Sequence, residues 1–216
     1  MSKRIVVLIS GSGSNLQAIL DQCAAGDIDG QVTAVISNRP DVLGLSRAEK
    51  AGADAITLDH KQFEDRAAFD AALAEAIDQY TPDLIVLAGF MRILTKSFVD
   101  RYHGRMLNIH PSLLPKYPGL DTHQRALDAG DHEAGATVHL VTAELDGGPL
   151  IAQAKVAISE DDTVQTLNRK VLAQEHHLYP EVVRWFCSGR LTFAEGLPQL
   201  DGEVLQFPYL FTDTNA

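Results

Sequence analysis

The sequence predicts an α/β protein with a mostly parallel open sheet flanked by helices and an antiparallel excursion in its C-terminal half. Three observations predict it. Arg4-Ile-Val-Val-Leu-Ile9 and Asp83-Leu-Ile-Val-Leu-Ala88 are continuous aliphatic runs, the kind that is buried on both faces of a parallel sheet. Runs of this type alternate with helical stretches through the first half of the chain, as in βαβ units. Beyond residue 135 the pattern becomes two strand-like runs, Ala136–Val141 and Leu150–Val156, joined through Gly147-Gly148-Pro149, which reads as an antiparallel pair.

A chain of 216 residues with 45% hydrophobic content suits a single domain with a full core. No run approaches the roughly 20 apolar residues of a membrane span, and the N-terminus lacks a signal-peptide cleavage region, so a cytoplasmic protein is expected. Cys23 and Cys187 stand far apart, which suggests neither a disulfide framework nor a thiolate metal site, and both read as buried small hydrophobes. No H-E-x-x-H, C-x-x-C or clustered acidic loop occurs, and no metal is expected. The net charge of −11 opposes nucleic acid and anionic membrane as partners.

In chain order, the first strand ends in Ser10-Gly-Ser-Gly-Ser-Asn15, and helical sequence follows at once. Such a loop delivers backbone N–H groups at a helix N-terminus, where an anion is favoured. The third glycine of a dinucleotide fingerprint is replaced by Leu16, and the second strand, Gln31–Ser37, ends in Asn38-Arg39 rather than in an acid. A single phosphate suits this turn better than a nicotinamide dinucleotide, and a turn with no ligand stays open. A helix over Leu43–Ala51, a strand over Ala55–Leu58 and a helix over Asp65–Gln79 come next. The last carries Ala67, Phe69, Ala72, Leu73 and Ile77 on its apolar positions.

The strand from Asp83 leads into Gly89-Phe-Met-Arg-Ile-Leu94, whose apolar side chains suit a flat heteroaromatic ligand as well as they suit plain cover for the sheet. Thr95 is placed to cap a helix running to Tyr102. Met106–His110 reads as a strand that puts Asn108 and His110 on one face before Pro111 ends it. An amide beside an imidazole offers two donors to one oxygen at the sheet edge where ligands bind. Two side chains that merely satisfy loop backbone would give the same spacing. Pro111, Pro115 and Pro118 stiffen the loop that follows. A helix spans His123–Ala129, and Asp146 lies in the loop joining the two later strands. Thr163 starts a long helix reaching about Tyr179, where Pro180 kinks or ends it before Val182–Phe186.

The segments Gly11–Asn15, Leu87–Leu94, Leu107–Pro115 and Glu144–Pro149, in that order, resemble the phosphoribosylglycinamide formyltransferase family of folate-dependent formyltransferases. The resemblance runs from near residue 4 to about residue 190. It implies a Rossmann-like formyltransferase fold in one domain. Residues 1–105 would form the phosphate-binding half, 106–190 the catalytic and folate-binding half, and 191–216 a tail. It further implies transfer of a formyl group from 10-formyltetrahydrofolate, a co-substrate, to the amino group of glycinamide ribonucleotide in purine biosynthesis. By matching position, Asn108, His110 and Asp146 are the implied catalytic residues. Gly13, Ser14 and Asn15 fall at the substrate phosphate, and Glu175 at the rest of the ribonucleotide. Arg66, Met91, Arg92, Ile93, Leu94, Asn108, Thr142, Ala143, Glu144, Leu145 and Asp146 fall at the folate, with Thr137 near the catalytic face. Either a monomer or a homodimer suits the sequence.

The implied chemistry agrees with the residues. An amine attacking a formamide creates an oxyanion, which the Asn108 amide and a protonated His110 are suited to stabilise. Asp146 beside His110 would favour the imidazolium. Methionyl-tRNA formyltransferase would need a basic C-terminal domain, and formyltetrahydrofolate hydrolase, the principal alternative, an additional N-terminal one. A noncatalytic phosphosugar-binding module or a nicotinamide enzyme would leave Asn108, His110 and the Asp146 loop without a purpose.

Overall fold

In the computed structural model of the protein, which describes residues 2–194 and 196–211, the first aliphatic run is strand β1 (Lys3–Ile9), with Ile5 to Ile9 wholly excluded from solvent. The chain divides into two compact units, residues 1–108 and 109–216. In the first unit, β2 (Gly30–Ser37), β3 (Asp54–Thr57), β4 (Leu84–Leu87) and the start of β5 (Met106–His110) join β1 in the order β3-β2-β1-β4-β5. Every neighbouring pair among them is parallel, as the aliphatic runs of β1 and β4 predicted.

Four helices connect these strands: α1 (Ser14–Ala25), α2 (Leu43–Lys50), α3 (Arg66–Asp78) and α4 (Lys96–Arg101). Asp65 caps α3 by accepting the Ala68 N–H at 2.8 Å, and Thr95 caps α4 through the Phe98 N–H at 3.4 Å. The buried face of α3 is Phe69, Asp70, Leu73, Ala74 and Ile77; Ala67, read as part of that face, is exposed in the first turn.

The second unit contains α5 (Thr122–Asp128), β6 (Glu133–Leu140), β7 (Leu150–Ala157) and α6 (Val164–Cys187). β6 and β7 form the expected antiparallel pair, with Ala136 opposite Ala154 and a register shift between Val138 and His139. β11 (Tyr209–Phe211) adds to β7 in parallel. The region read as a plain tail also forms a small antiparallel sheet of β8 (Leu191–Ala194), β9 (Leu197–Leu200) and β10 (Glu203–Val204). These strands are too short for a periodic signal.

Helix α6 continues past Pro180 to Cys187, so the proline does not end it as it could have. Its first turn is fixed by a capping box between Thr163 and Thr166. An interior proline costs ~3 kcal/mol. Leu178, Tyr179, Val182, Val183 and Trp185 are all buried around it, and at ~1.5–3 kcal/mol for each large side chain their burial outweighs that loss. Cys187 is buried as expected, whereas Cys23 is half-buried, its thiol pushed up to about 11 by desolvation. Among the described residues no helix is long and apolar enough to cross a membrane, and no group of acidic, His and Cys side chains is arranged to hold a metal.

The turn before β7 separates two adjacent glycines sharply. A Cβ on Gly148 would overlap the Leu140 carbonyl oxygen and meet the Thr142 methyl at 3.1 Å, whereas one on Gly147 would meet only the exposed Glu144 side chain. Gly148→Ala is therefore expected to cost about 2 kcal/mol or more of stability, and Gly147→Ala under about 1 kcal/mol. Urea unfolding of the two variants side by side checks this; equal midpoints would contradict it.

Candidate active site

Strand β5 presents Asn108 half-buried and His110 6% exposed, with apolar Leu107 and Ile109 on the opposite face. Past the strand, the loop through Pro111, Pro115 and Pro118 folds back over His110. The Leu114–Pro115 peptide bond in this loop is cis. His110 Nε2 lies 2.8 Å from the Tyr117 carbonyl oxygen, and Nδ1 lies 3.4 Å from Asp146 Oδ2. Two residues beyond Tyr117, the Gly119 N–H donates to the same Oδ2 at 2.9 Å. The stiff loop thus addresses both members of the pair through its backbone.

The loop is itself anchored from β6 and β7. Thr137 Oγ1 donates to the Ser112 carbonyl at 2.6 Å and accepts the Leu114 N–H at 3.0 Å. The Gln153 amide donates to the Leu114 carbonyl at 2.8 Å and to Thr137 Oγ1 at 3.0 Å. Thr137 and Gln153 are buried, so these bonds form where water does not compete.

Asp146 occupies the left-handed region at φ 50°, conformations that Asp and Asn tolerate best among side-chain-bearing residues. Its carboxylate, 8% exposed, lies between two histidines: His139 Nε2 is 3.7 Å from Oδ1, opposite His110 at Oδ2. Each imidazole has its other nitrogen committed as a donor to a backbone carbonyl, His110 to Tyr117 and His139, at 3.0 Å, to Leu140. With those nitrogens donating to carbonyls, either ring presents an N–H to the carboxylate only when doubly protonated. Burial holds the His139 pKa below its usual range, against the opposing pull of the Leu140 carbonyl and Asp146.

In the first unit, Gly13 is the N-cap of α1 at φ 70°, with no side-chain cap bond, and Ser14 and Asn15 open the helix. The first-turn N–H groups of such a helix have no partners within it. The loop is held by α2: the Gly44 N–H donates to the Gly11 carbonyl at 3.2 Å and Arg47 Nε to the Ser12 carbonyl at 2.9 Å. A Cβ on Gly13 would stand 2.8 Å from the Gly44 Cα, and one on Gly44 would strike Ile9 Cδ1. Neither position accepts a side chain.

Met91 and Ile93 expose 59% and 50% of their surface while Leu94 is buried, so the segment after β4 is only partly cover for the sheet. Arg92 stacks its guanidinium 5.5 Å over the Phe69 ring, and Arg66 is exposed in the first turn of α3. Thr142 is half-buried and Ala143, Glu144 and Leu145 are exposed along the turn before Asp146. Glu175 is 6% exposed in the middle of α6. His139, Tyr117 and Gly119 were not singled out from the sequence. For His139 a signal existed: Thr137 and His139 are polar residues two apart in the otherwise apolar run Ala136–Val141.

The formyl transferase family model matches residues 3–183. The chain belongs to that family. It is 55% identical over 201 residues to the phosphoribosylglycinamide formyltransferase of Escherichia coli, covering 93% of this chain and 95% of that one. A solved phosphoribosylglycinamide formyltransferase from Coxiella burnetii superposes with a TM-score of 0.94 at 51% identity, covering 98% of this chain and all of the other. The cattle trifunctional purine biosynthetic protein adenosine-3 matches at 44% identity over 192 residues, 19% of its own length. The family's mostly parallel mixed sheet is the one described above, and the resemblance drawn from the four sequence segments holds.

The histidines make stability pH-dependent. Burial lowers the pKa of both His123 and His139 in the fold, so the unfolded chain binds protons more readily than the folded one. Their contribution is complete above the unfolded value near ~6.5 and is lost as pH falls below it. Urea midpoints measured between pH 7.5 and 5.5 are expected to decline, and His123→Gln, which removes one of the two titrations, to flatten the decline. An unchanged slope in that variant would show that His123 does not contribute.

Proposed function

We infer that the protein transfers the formyl group of 10-formyltetrahydrofolate to the amino group of glycinamide ribonucleotide, giving the N-formyl ribonucleotide and tetrahydrofolate. It is a formyltransferase of de novo purine biosynthesis, with 10-formyltetrahydrofolate as its co-substrate. The observation that carries the reading is the nearly buried Asp146 carboxylate 3.4 Å from His110 Nδ1, with Asn108 two residues before His110 on the same strand. Hydrolysis of the folate without an acceptor is not favoured, since the full-length relatives bear the transferase name.

In this reading the ribonucleotide amine attacks the formyl carbon, and negative charge develops on the formyl oxygen. The Asn108 side-chain N–H and a His110 ring N–H are the donors assigned to that oxygen. His110 Nε2 is occupied by the Tyr117 carbonyl, which has to give way if that nitrogen is the donor. Asp146 keeps the ring oriented, and Gly119 keeps Asp146 in place. The amine must lose a proton and the departing folate nitrogen gain one; His110, Asp146 and water are the groups assigned to that transfer.

Gly13, Ser14 and Asn15 are assigned to the ribonucleotide phosphate, supported by their place at the N-terminus of α1, where an anion is favoured. Glu175 is assigned to the rest of that substrate. Arg66, Met91 to Leu94, Asn108 and Thr142 to Asp146 are assigned to the folate, supported by the exposure of Met91, Ile93 and Leu145. The chain is treated as one formyltransferase domain, and a cytoplasmic location accords with its bacterial relatives.

The test is a turnover assay with both substrates, following folate deformylation and formylated ribonucleotide, with an acceptor-free control. Deformylation is expected to depend strictly on the ribonucleotide, and folate loss at an equal rate without it would establish the hydrolase instead. In the same assay Asn108→Ala is expected to lower kcat by on the order of 10² to 10³ with folding intact. Near-normal turnover in that variant would remove Asn108 from the mechanism.

A further inference from the structure

We propose that Ser10 is a positioning residue for folate binding, its buried hydroxyl setting the backbone of the 91–94 segment through Met91. The proposal rests on the assignment of that segment to the folate. Ser10 follows β1 and is 4% exposed; Asn38 follows β2 and is 1% exposed. The Ser10 hydroxyl accepts the Met91 N–H at 2.7 Å and donates to Asn38 Oδ1 at 2.5 Å. Its single proton is committed to Asn38, so the direction is fixed: Met91 N–H to Ser10 O–H to the Asn38 carbonyl. In a buried chain of this kind each bond strengthens the next.

The far end of the chain is anchored. The Asn38 N–H donates to the Ile9 carbonyl at 3.4 Å, and its own carbonyl oxygen accepts the His60 N–H at 3.4 Å and His60 Nδ1 at 2.8 Å. The near end is not: Met91 and Ile93 are largely exposed, so the start of the segment has little side-chain packing to hold it. The glycine loop after Ser10 has separate holds on α2 through Gly44 and Arg47. Removing the hydroxyl therefore releases the 91–94 backbone and spares the loop assigned to phosphate. A substrate-specific effect follows from a residue that touches neither substrate.

Steady-state kinetics on the full chain test this. Ser10→Ala and Asn38→Ala are expected to raise KM for 10-formyltetrahydrofolate by on the order of tenfold, as loss of a buried hydrogen bond does. KM for glycinamide ribonucleotide should move less than about twofold. Asn38→Asp, which keeps the acceptor for Ser10, should stay within about threefold of the parent for the folate, and the Asn38 pair carries the test if Ser10→Ala does not fold. An unchanged folate KM in the Ala variants, or a parallel rise of both KM values, would overturn the proposal. Hydrogen exchange of residues 91–94 in the parent protein, with and without 10-formyltetrahydrofolate, separates the two levels. An unprotected segment overturns the folate assignment and this proposal with it, whereas a protected segment with unchanged folate KM in Ser10→Ala overturns this proposal alone.

Discussion

The arrangement around the site depends on one carboxylate held where it cannot be neutralised by solvent. Asp146 is nearly buried, accepts the Gly119 N–H and faces two imidazoles whose outer nitrogens are already spent on carbonyl oxygens. A buried anion left without positive charge costs several kcal/mol. Burial holds the His139 pKa below its usual range, so positive charge is costly on that side of the carboxylate. The turn chemistry that places Asp146 at positive φ, the clash that reserves Gly148 and the backbone groups of the proline loop all serve that arrangement.

Much of the first unit was legible because its strands are locally determined. β1 and β4, buried on both faces, leave little choice but continuous aliphatic sequence, and the caps Asp65 and Thr95 act within four residues of themselves. Asn108 and His110 were legible for the same reason, since alternation along a strand needs no knowledge of the rest of the fold. Pro180 was misleading because the local rule is real but smaller than the burial around it. The sheet of β8, β9 and β10 was invisible because strands of two to four residues carry no period.

Other parts of the site were out of reach of residue types altogether. The Tyr117 carbonyl and the Gly119 N–H are backbone groups, so no side chain announces them. Thr137 and Gln153 act on the proline loop only once β6 and β7 are in register, and the meeting of His139 with Asp146 joins a strand to the following turn. Ser10 belongs to the same class. It reads as one more small residue in a glycine-rich turn, and its partner Met91 lies 81 positions away.

The close approach of α2 to the glycine loop bears on how this protein can change. A side chain at Gly13 would run into the Gly44 backbone, one at Gly44 into Ile9, and the loop carbonyls of Gly11 and Ser12 are held from Gly44 and Arg47. A replacement at Gly13 alone meets α2 as a fixed wall. Reshaping the loop therefore requires coordinated replacements in two elements about thirty residues apart, each harmful by itself, so that the route is barred by epistasis.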